Sequence, residues 1–317
     1  MQYEVILNPT AGSGKAEKTW EKLQPLFDNQ LTYHLYKTDY AKHEEYFAKK
    51  ISQSYNNTPN VVIIVVGGDG TLHNVLNSLK QNDSTIPLSY IPSGTGNDFA
   101  RGYGINLSPE KALQQILAAE RARTITIGHY TENIKNEDGY FLNNIGIGFD
   151  AAIVSRVNNS SAKKNLNKAH VGRLSYFFKA LGVIYDQQPF SLMVRENGHH
   201  QFFSKAFIAI STNEPYIGGG FKIDPLASVD KNAINIVIAE RRNWLITLWQ
   251  LLQLARGKLA NSKFAHTFHT NKIHYSTTSL EFGQVDGENM GNRFYDLTID
   301  TSSYEFWQNS ENILKKN

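Results

Sequence analysis

Gly67-Gly68-Asp69-Gly70-Thr71 sets one carboxylate among three glycines. Ahead of it, Val61–Val66 is wholly apolar and β-branched, the pattern of a buried parallel strand. Behind it, Leu72, Val75, Leu76 and Leu79 fall on one face of a helix. Such a strand–turn–helix junction aims backbone N–H groups and a helix N-terminus at an anion. Glycine lets the backbone approach a phosphate, because no Cβ stands in the way. A carboxylate inside a phosphate cradle calls for a metal ion to hold or a proton to move. Asp69 is therefore a candidate for either role.

Two further loops have the same placement. Asn8-Pro9-Thr10-Ala11-Gly12-Ser13-Gly14-Lys15 joins a strand to a helix, but Ala16 follows Lys15 where a Walker A loop needs Ser or Thr. It reads either as a second phosphate-facing loop carrying the Lys15 charge or as an ordinary glycine-rich turn. Ser93-Gly94-Thr95-Gly96-Asn97-Asp98 follows the strand Leu88–Ile91, and Asp98 alone reads as a helix N-cap. Three such loops after strands of one parallel sheet enclose a nucleotide triphosphate. Far downstream, Asp286-Gly287-Glu288 offers Glu288, either a solvated surface carboxylate or a general base in a two-domain cleft. His266, His269 and His274 lack partners at metal-ligand spacing and read as surface histidines.

These residues need a scaffold. Strands at Tyr3–Leu7, Thr32–Tyr36, Val61–Val66 and Leu88–Ile91 alternate with helices at Ala16–Phe27, His43–Tyr55, Leu72–Leu79 and Pro109–Ala122. That order predicts a parallel α/β domain binding ligands at the carboxyl ends of its strands. Beyond Arg123 the chain turns β-rich, with strands expected at Thr124–Tyr130, Tyr140–Ile145, Phe190–Arg195, Phe202–Ser211, Ala233–Ala239, Lys272–Tyr275 and Arg293–Ile299. Asn197-Gly198 marks a hairpin. We divide the chain into a nucleotide domain, 1–123 completed by 303–317, and a β-sandwich domain, 124–302. Helices are expected at Arg173–Tyr185 and Trp244–Arg256, and a polar mobile loop at Asn158–Lys168. Trp244–Arg256 is apolar except for a stripe of Thr247, Gln250 and Gln253. It reads as a buried helix, or as an interfacial helix with basic ends and tryptophan anchors.

A formal charge of +3 is too weak and too dispersed for nucleic acid, though it suits an anionic cofactor or membrane surface. The absence of cysteine excludes disulfides and thiolate zinc sites. No signal-peptide pattern or spanning apolar run is present, so we expect a cytoplasmic protein whose membrane contact is peripheral.

Taken together, the motifs resemble the diacylglycerol kinase catalytic-domain family, specifically the soluble bacterial lipid kinases related to sphingosine kinases. The resemblance rests on Asn8–Gly12, Thr38, Gly67–Leu72, Pro92–Arg101, Gly146-Ile147-Gly148-Phe149-Asp150-Ala151, Tyr216–Gly220 and Asp286–Glu288. The GGDGT element alone is shared with NAD kinases and, loosely, phosphofructokinases; the Ser93–Arg101 and Gly148–Ala151 elements are more specific.

The resemblance implies an NAD kinase/phosphofructokinase-like α/β domain with a C-terminal β-sandwich, and an active site between them. The activity implied is phosphorylation of a lipid hydroxyl by Mg-ATP, with diacylglycerol becoming phosphatidic acid at the inner membrane face. Asn8, Pro9, Thr10, Ala11, Gly12, Lys15, Thr38, Gly67, Gly68, Asp69, Gly70, Thr71, Leu72, His73 and Thr95 would hold ATP. Asp69 and Asp98 would organise a catalytic Mg2+ through water. Glu288 would deprotonate the lipid hydroxyl, with Asp69 as its rival. Relatives also carry an Asp-Asp-Gly-like turn that helps bind a structural magnesium. Here the turn is Asp230-Lys231-Asn232, so three alternatives stay open: the site is lost, the Lys231 ammonium replaces the metal, or Asp230 still serves as a ligand. The acceptor could instead be a sphingoid base, ceramide, phosphatidylglycerol, a polyprenol or NAD, or the protein could sense nucleotide without turnover. A homodimer is left open.

Overall fold

The computed structural model describes residues 1–148, 151–152, 155 and 188–310. Phe149 and Asp150, the segment 158–168, the helix expected at 173–185 and the last residues, 311–317, lie outside the described residues. The chain divides into two compact units, Met1–Ile125 with Ser303–Asn317, and Thr126–Ser302.

In the first unit, β1 (Gln2–Leu7), β2 (Thr32–Lys37), β3 (Val61–Gly67) and β4 (Leu88–Pro92) form a parallel sheet in the order β2–β1–β3–β4. Val5 sits opposite Leu35 on one side and Ile64 on the other. β3 is buried at every position, as its unbroken apolar run requires, whereas edge strand β2 is partly exposed. The strands are linked by α1 (Ala11–Gln30), α2 (His43–Tyr55) and α3 (Asp69–Gln81), and β4 is followed by α4 (Asp98–Tyr103) and α5 (Pro109–Leu117).

The chain's last described segment completes this sheet. Phe306 pairs in parallel with Leu88, and Trp307 N–H donates to Leu88 O at 2.7 Å. Gln308 extends the ladder with its side chain: its amide accepts from Tyr90 N at 2.9 Å and donates to Tyr90 O at 3.0 Å. A side-chain amide thus copies a backbone strand pair.

The second unit is antiparallel. Its strands are β5 (Arg123–Glu132), β6 (Glu137–Phe141), β7 (Asn144–Gly148), β8 (Phe190–Glu196), β9 (His199–Thr212), β10 (Tyr216–Ile217), β11 (Phe221–Lys222) and β12 (Ile234–Glu240). After helix α6 (Trp244–Ala255) come β13 (Ala265–Thr270), β14 (Lys272–Thr277), β15 (Glu281–Val285), β16 (Glu288–Arg293) and β17 (Asp296–Phe306), with Arg123–Ile125 of β5 and Ser303–Phe306 of β17 belonging to the first unit. The ladder runs β16–β15–β7–β9–β8–β14–β17, with β12 paired to β9 and β13. Alternate residues of β12 serve two cores. Ile234, Ile236 and Ile238 join Phe190, Leu192, Tyr275 and Leu297, while Val237 and Ala239 meet Leu251 and Leu254 of α6. Burial on both faces explains the strand's nearly continuous apolar run. Asn197 and Gly198 both have positive φ, 48° and 79°, as a tight hairpin requires.

Two expected strands prove to be divided. Tyr140–Ile145 breaks between β6 and β7 because Leu142, Asn143 and Asn144 turn their N–H groups onto the Asp286 carboxylate. Arg293–Ile299 breaks between β16 and β17, where Thr277 Oγ1 accepts from Tyr295 N and Thr277 N donates to Tyr295 O, each at 2.9 Å. Strands β13, β15 and β16 escape sequence patterning. Within β15, Gly283 is required because the Tyr295 ring fills its side-chain space; a Cβ there would lie 2.1 Å from the Tyr295 hydroxyl. Helix α6 is not buried all round: only Thr247, Gln250, Leu251 and Leu254 face inward.

Candidate active site

All three glycine loops leave the carboxyl edge of the first unit's sheet, and they interlock. In the first, Gly12, Ser13 and Gly14 have φ of 59°, 61° and 86°, so regular helix begins only after this left-handed run. A Cβ on Gly12 would lie 2.2 Å from Ser93 O, which puts the first loop against the third. A Cβ on Gly94 would lie 2.7 Å from Gly68 Cα, which puts the third against the second. Only glycine permits both approaches.

Side chains clamp the same contacts. Asn8 Nδ2 donates to Thr71 Oγ1 at 3.0 Å, while Asn8 Oδ1 accepts from Thr10 N at 3.2 Å and Thr10 Oγ1 at 2.9 Å. Asn8 therefore joins the first loop to the second. Asn97 Oδ1 accepts from Gly94 N at 2.9 Å, and its Nδ2 donates to Gly94 O at 3.2 Å. The buried Tyr90 hydroxyl donates to Gly67 O at 3.2 Å and lies 3.4 Å from Asn97 Oδ1. Neither Tyr90 nor Asn97 was singled out from the sequence; Asn97 was visible inside its motif, but Tyr90 lies in a strand with no signal of its own.

Asp69 opens α3, and its Oδ2 accepts from Asp98 N at 3.3 Å. Burial, and then the Asp69 and Asp98 charges, push the Tyr90 hydroxyl well above its ordinary pKa. The two carboxylates thus share one confined place beside the loops. Such a set of hard oxygen donors fits Mg2+, which keeps waters and takes phosphate oxygens as its other ligands. Lys15, Thr10 and Thr95 are exposed at the loop surfaces; Thr38 is buried, its N–H bonded to Leu7 O at 2.9 Å. Pro9, Ala11 and Gly70 are half-buried in the same loops. Leu72 supports the site from behind: its side chain lies in the core and its N–H donates to Gly68 O at 3.1 Å. His73 is buried on α3, its carbonyl accepting from Asn77 Nδ2 at 3.0 Å.

Glu288 belongs to the second unit and is exposed at the start of β16. It directly follows a tight turn in which Asp286 and Gly287 have φ of 47° and 86°. Asp286 is the anchor of that turn. Its Oδ1 accepts from Asn143 N at 2.8 Å and Asn144 N at 3.0 Å, and Oδ2 from Leu142 N at 2.8 Å. Gln284 Oε1 adds a bond from Gly287 N at 2.8 Å. The sequence had offered Asp286 only as Glu288's neighbour.

Asp230, Lys231 and Asn232 form an exposed turn, in which Lys231 Nζ donates to Leu226 O at 2.8 Å. A fixed ammonium repels a divalent cation, so this turn does not fit a structural magnesium. Tyr216–Lys222 is a hairpin whose loop glycines, Gly218, Gly219 and Gly220, all have positive φ. His274 Nε2 lies 2.6 Å from Asp296 Oδ1. No group of three or more His, Asp or Glu placed to hold a metal occurs among the described residues.

Comparison with known proteins agrees with this architecture. The family described as "Diacylglycerol kinase catalytic domain" matches residues 2–130, and "YegS C-terminal NAD kinase beta sandwich-like domain" matches residues 143–300. A Bacillus subtilis protein named "Putative lipid kinase YtlR" is 32% identical over 292 residues, covering 90% of this chain and 93% of that protein. A diacylglycerol kinase of Staphylococcus saprophyticus is 27% identical over 297 residues, covering 90% of this chain and 88% of its own. Among solved structures, "Crystal structure of a putative diacylglycerol kinase from Bacillus anthracis str. Sterne" has a TM-score of 0.75 over 97% of both chains at 20% identity, a likeness of fold. With a parallel nucleotide-type unit, a β-sandwich unit and full-length relatives in agreement, the chain belongs to the diacylglycerol kinase catalytic-domain family of bacterial lipid kinases.

Proposed function

We propose that this protein transfers the γ-phosphate of ATP to the hydroxyl of diacylglycerol, producing phosphatidic acid and ADP. The observation that carries the phosphotransferase reading is the interlock of three glycine loops beside Asp69 and Asp98. Relatives named diacylglycerol kinase favour diacylglycerol as the acceptor. Phosphoryl transfer demands charge neutralisation and in-line positioning more than covalent chemistry. In this reading the loop N–H groups and Lys15 hold the phosphates. Mg2+, held through water by Asp69 and Asp98, supplies further neutralising charge when bound. The acceptor oxygen bonds to the γ-phosphorus as the bond to the ADP oxygen breaks, and Glu288 takes the hydroxyl proton. The substrate places the reaction at the inner membrane face.

Purified protein, labelled ATP and a panel of diacylglycerol, sphingoid base, ceramide, phosphatidylglycerol and polyprenol in mixed micelles test the acceptor. Label in diacylglycerol is expected; label in another lipid reassigns the substrate, and none in any lipid overturns the reading. Glu288→Gln is expected to keep ATP affinity and lose transfer by about two orders of magnitude. Near-normal turnover would move the proton to Asp69.

A further inference from the structure

Helix α6 is amphipathic in the inverted sense. Its polar Thr247 and Gln250 face the protein, with Leu251 and Leu254, while Trp244, Leu245, Trp249 and Leu252 are 66%, 60%, 37% and 40% exposed. At about 100° per residue these four share one arc of the helix, opposite the buried set. The inward polar groups donate to backbone carbonyls. Gln250 Nε2 donates to Glu240 O at 3.0 Å and Phe264 O at 3.3 Å, and Thr247 Oγ1 donates to Asn243 O at 3.0 Å. Asn243 Oδ1 caps the helix by accepting from Ile246 N at 2.9 Å. The outward face is thus held in place by hydrogen bonds. A contiguous exposed apolar arc of this kind marks an interaction surface.

Cations frame that face. Between residues 240 and 264 the chain carries Arg241, Arg242, Arg256, Lys258 and Lys263 against one acid, Glu240. Arg242 and Lys263 both lie over the Phe264 ring, 5.7 and 5.2 Å from its centroid, and Trp249 meets the same ring edge-on at 5.5 Å. Lys222 lies beside Gly257 at the other end of the helix. Tryptophan and leucine flanked by arginine and lysine suit the boundary between lipid headgroups and acyl chains. A second copy of the chain would bring the same cations against one another.

We propose that the Trp244–Ala255 face docks this protein onto an anionic lipid bilayer, with Trp244, Leu245 and Leu252 entering the interface and Arg242 and Lys263 meeting the headgroups. The proposal extends the lipid-kinase reading, yet it is tested without ATP, so either can fail alone. Co-sedimentation with phosphatidylcholine vesicles, with and without phosphatidylglycerol, reads the docking. Binding is expected only with phosphatidylglycerol, falling as salt is raised. Trp244→Ser/Leu245→Ser should weaken it at least about tenfold, and Arg242→Gln/Lys263→Gln by a similar factor. Both pairs should leave circular dichroism and transfer to a water-dispersed short-chain acceptor unchanged. Quenching of tryptophan fluorescence by brominated phosphatidylglycerol supplies a reading on the unmodified protein. Absent binding, absent quenching, or variants that bind like the parent would overturn the proposal. So would light scattering that shows a dimer broken by Trp244→Ser/Leu245→Ser.

Discussion

Asp286→Asn tests how Glu288 is held. The substitution preserves shape and tolerates the positive φ of 47°, since asparagine is at home in left-handed backbone. What it removes is charge. The carboxylate accepts N–H groups from Leu142, Asn143 and Asn144 at 2.8, 2.8 and 3.0 Å. Hydrogen bonds to an ionised group are each worth about 1.5–3 kcal/mol net, against about 1 kcal/mol for neutral pairs. An asparagine oxygen can keep the Asn143 and Asn144 bonds at neutral strength, but its NH2 then faces the Leu142 N–H. Losing one charged bond, at about 1.5–3 kcal/mol, and weakening two, at about 0.5–2 kcal/mol each, gives an expected destabilisation of about 2.5–7 kcal/mol. Urea denaturation with a second-unit probe measures it, and amide hydrogen exchange at 142–144 should quicken selectively. Because Glu288 follows this turn, transfer is expected to fall while ATP affinity holds. A loss under about 0.5 kcal/mol, with unchanged exchange, would refute the anchoring role.

The loop interlock predicts that Gly94→Ala, whose Cβ would lie 2.7 Å from Gly68 Cα, weakens ATP binding by about tenfold or more in calorimetry. Tyr90→Phe removes a buried hydroxyl donor to Gly67 O and should lower unfolding free energy by about 1 kcal/mol. Glu137 is held below the ordinary carboxylate range chiefly by its hydrogen bond from Arg293. The folded value being the lower one, its stabilisation is present above the unfolded value near about pH 4.3 and is lost as pH falls through the folded value. Glu137→Gln should therefore flatten the acid limb of a stability–pH curve, and an unchanged limb would exclude this pair as its source. Lys231 donating to Leu226 O predicts that, without nucleotide, chelator leaves the melting temperature of an Asp69→Asn/Asp98→Asn variant unaltered; a clear drop there would mean that a metal occupies the turn after all.

Much of the nucleotide unit was legible because its signals are local. The Val61–Val66 run, the glycines after it and the helix period of Leu72 to Leu79 lie within one stretch of chain, and the structure keeps them as β3, loop and α3. The β-rich half was harder. Tyr140–Ile145 reads as one strand in sequence despite Asn143 and Asn144, yet a carboxylate more than 140 positions away divides it. Asn8 could be placed in a phosphate loop from its neighbours, but its bond to Thr71 spans 63 positions.

The sequence by itself determined the glycine loops, their order after parallel strands, and the family to which those motifs point. Each depends on backbone freedom or on periodicity within a few residues. Only the tertiary structure decided that Asp98 meets Asp69, that Asp286 is an anchor, and which way α6 faces. Composition reads that helix as apolar nearly all round. Its orientation follows instead from where Glu240 O and Phe264 O stand, because the Gln250 NH2 donates to both, and with that face inward the tryptophans turn outward.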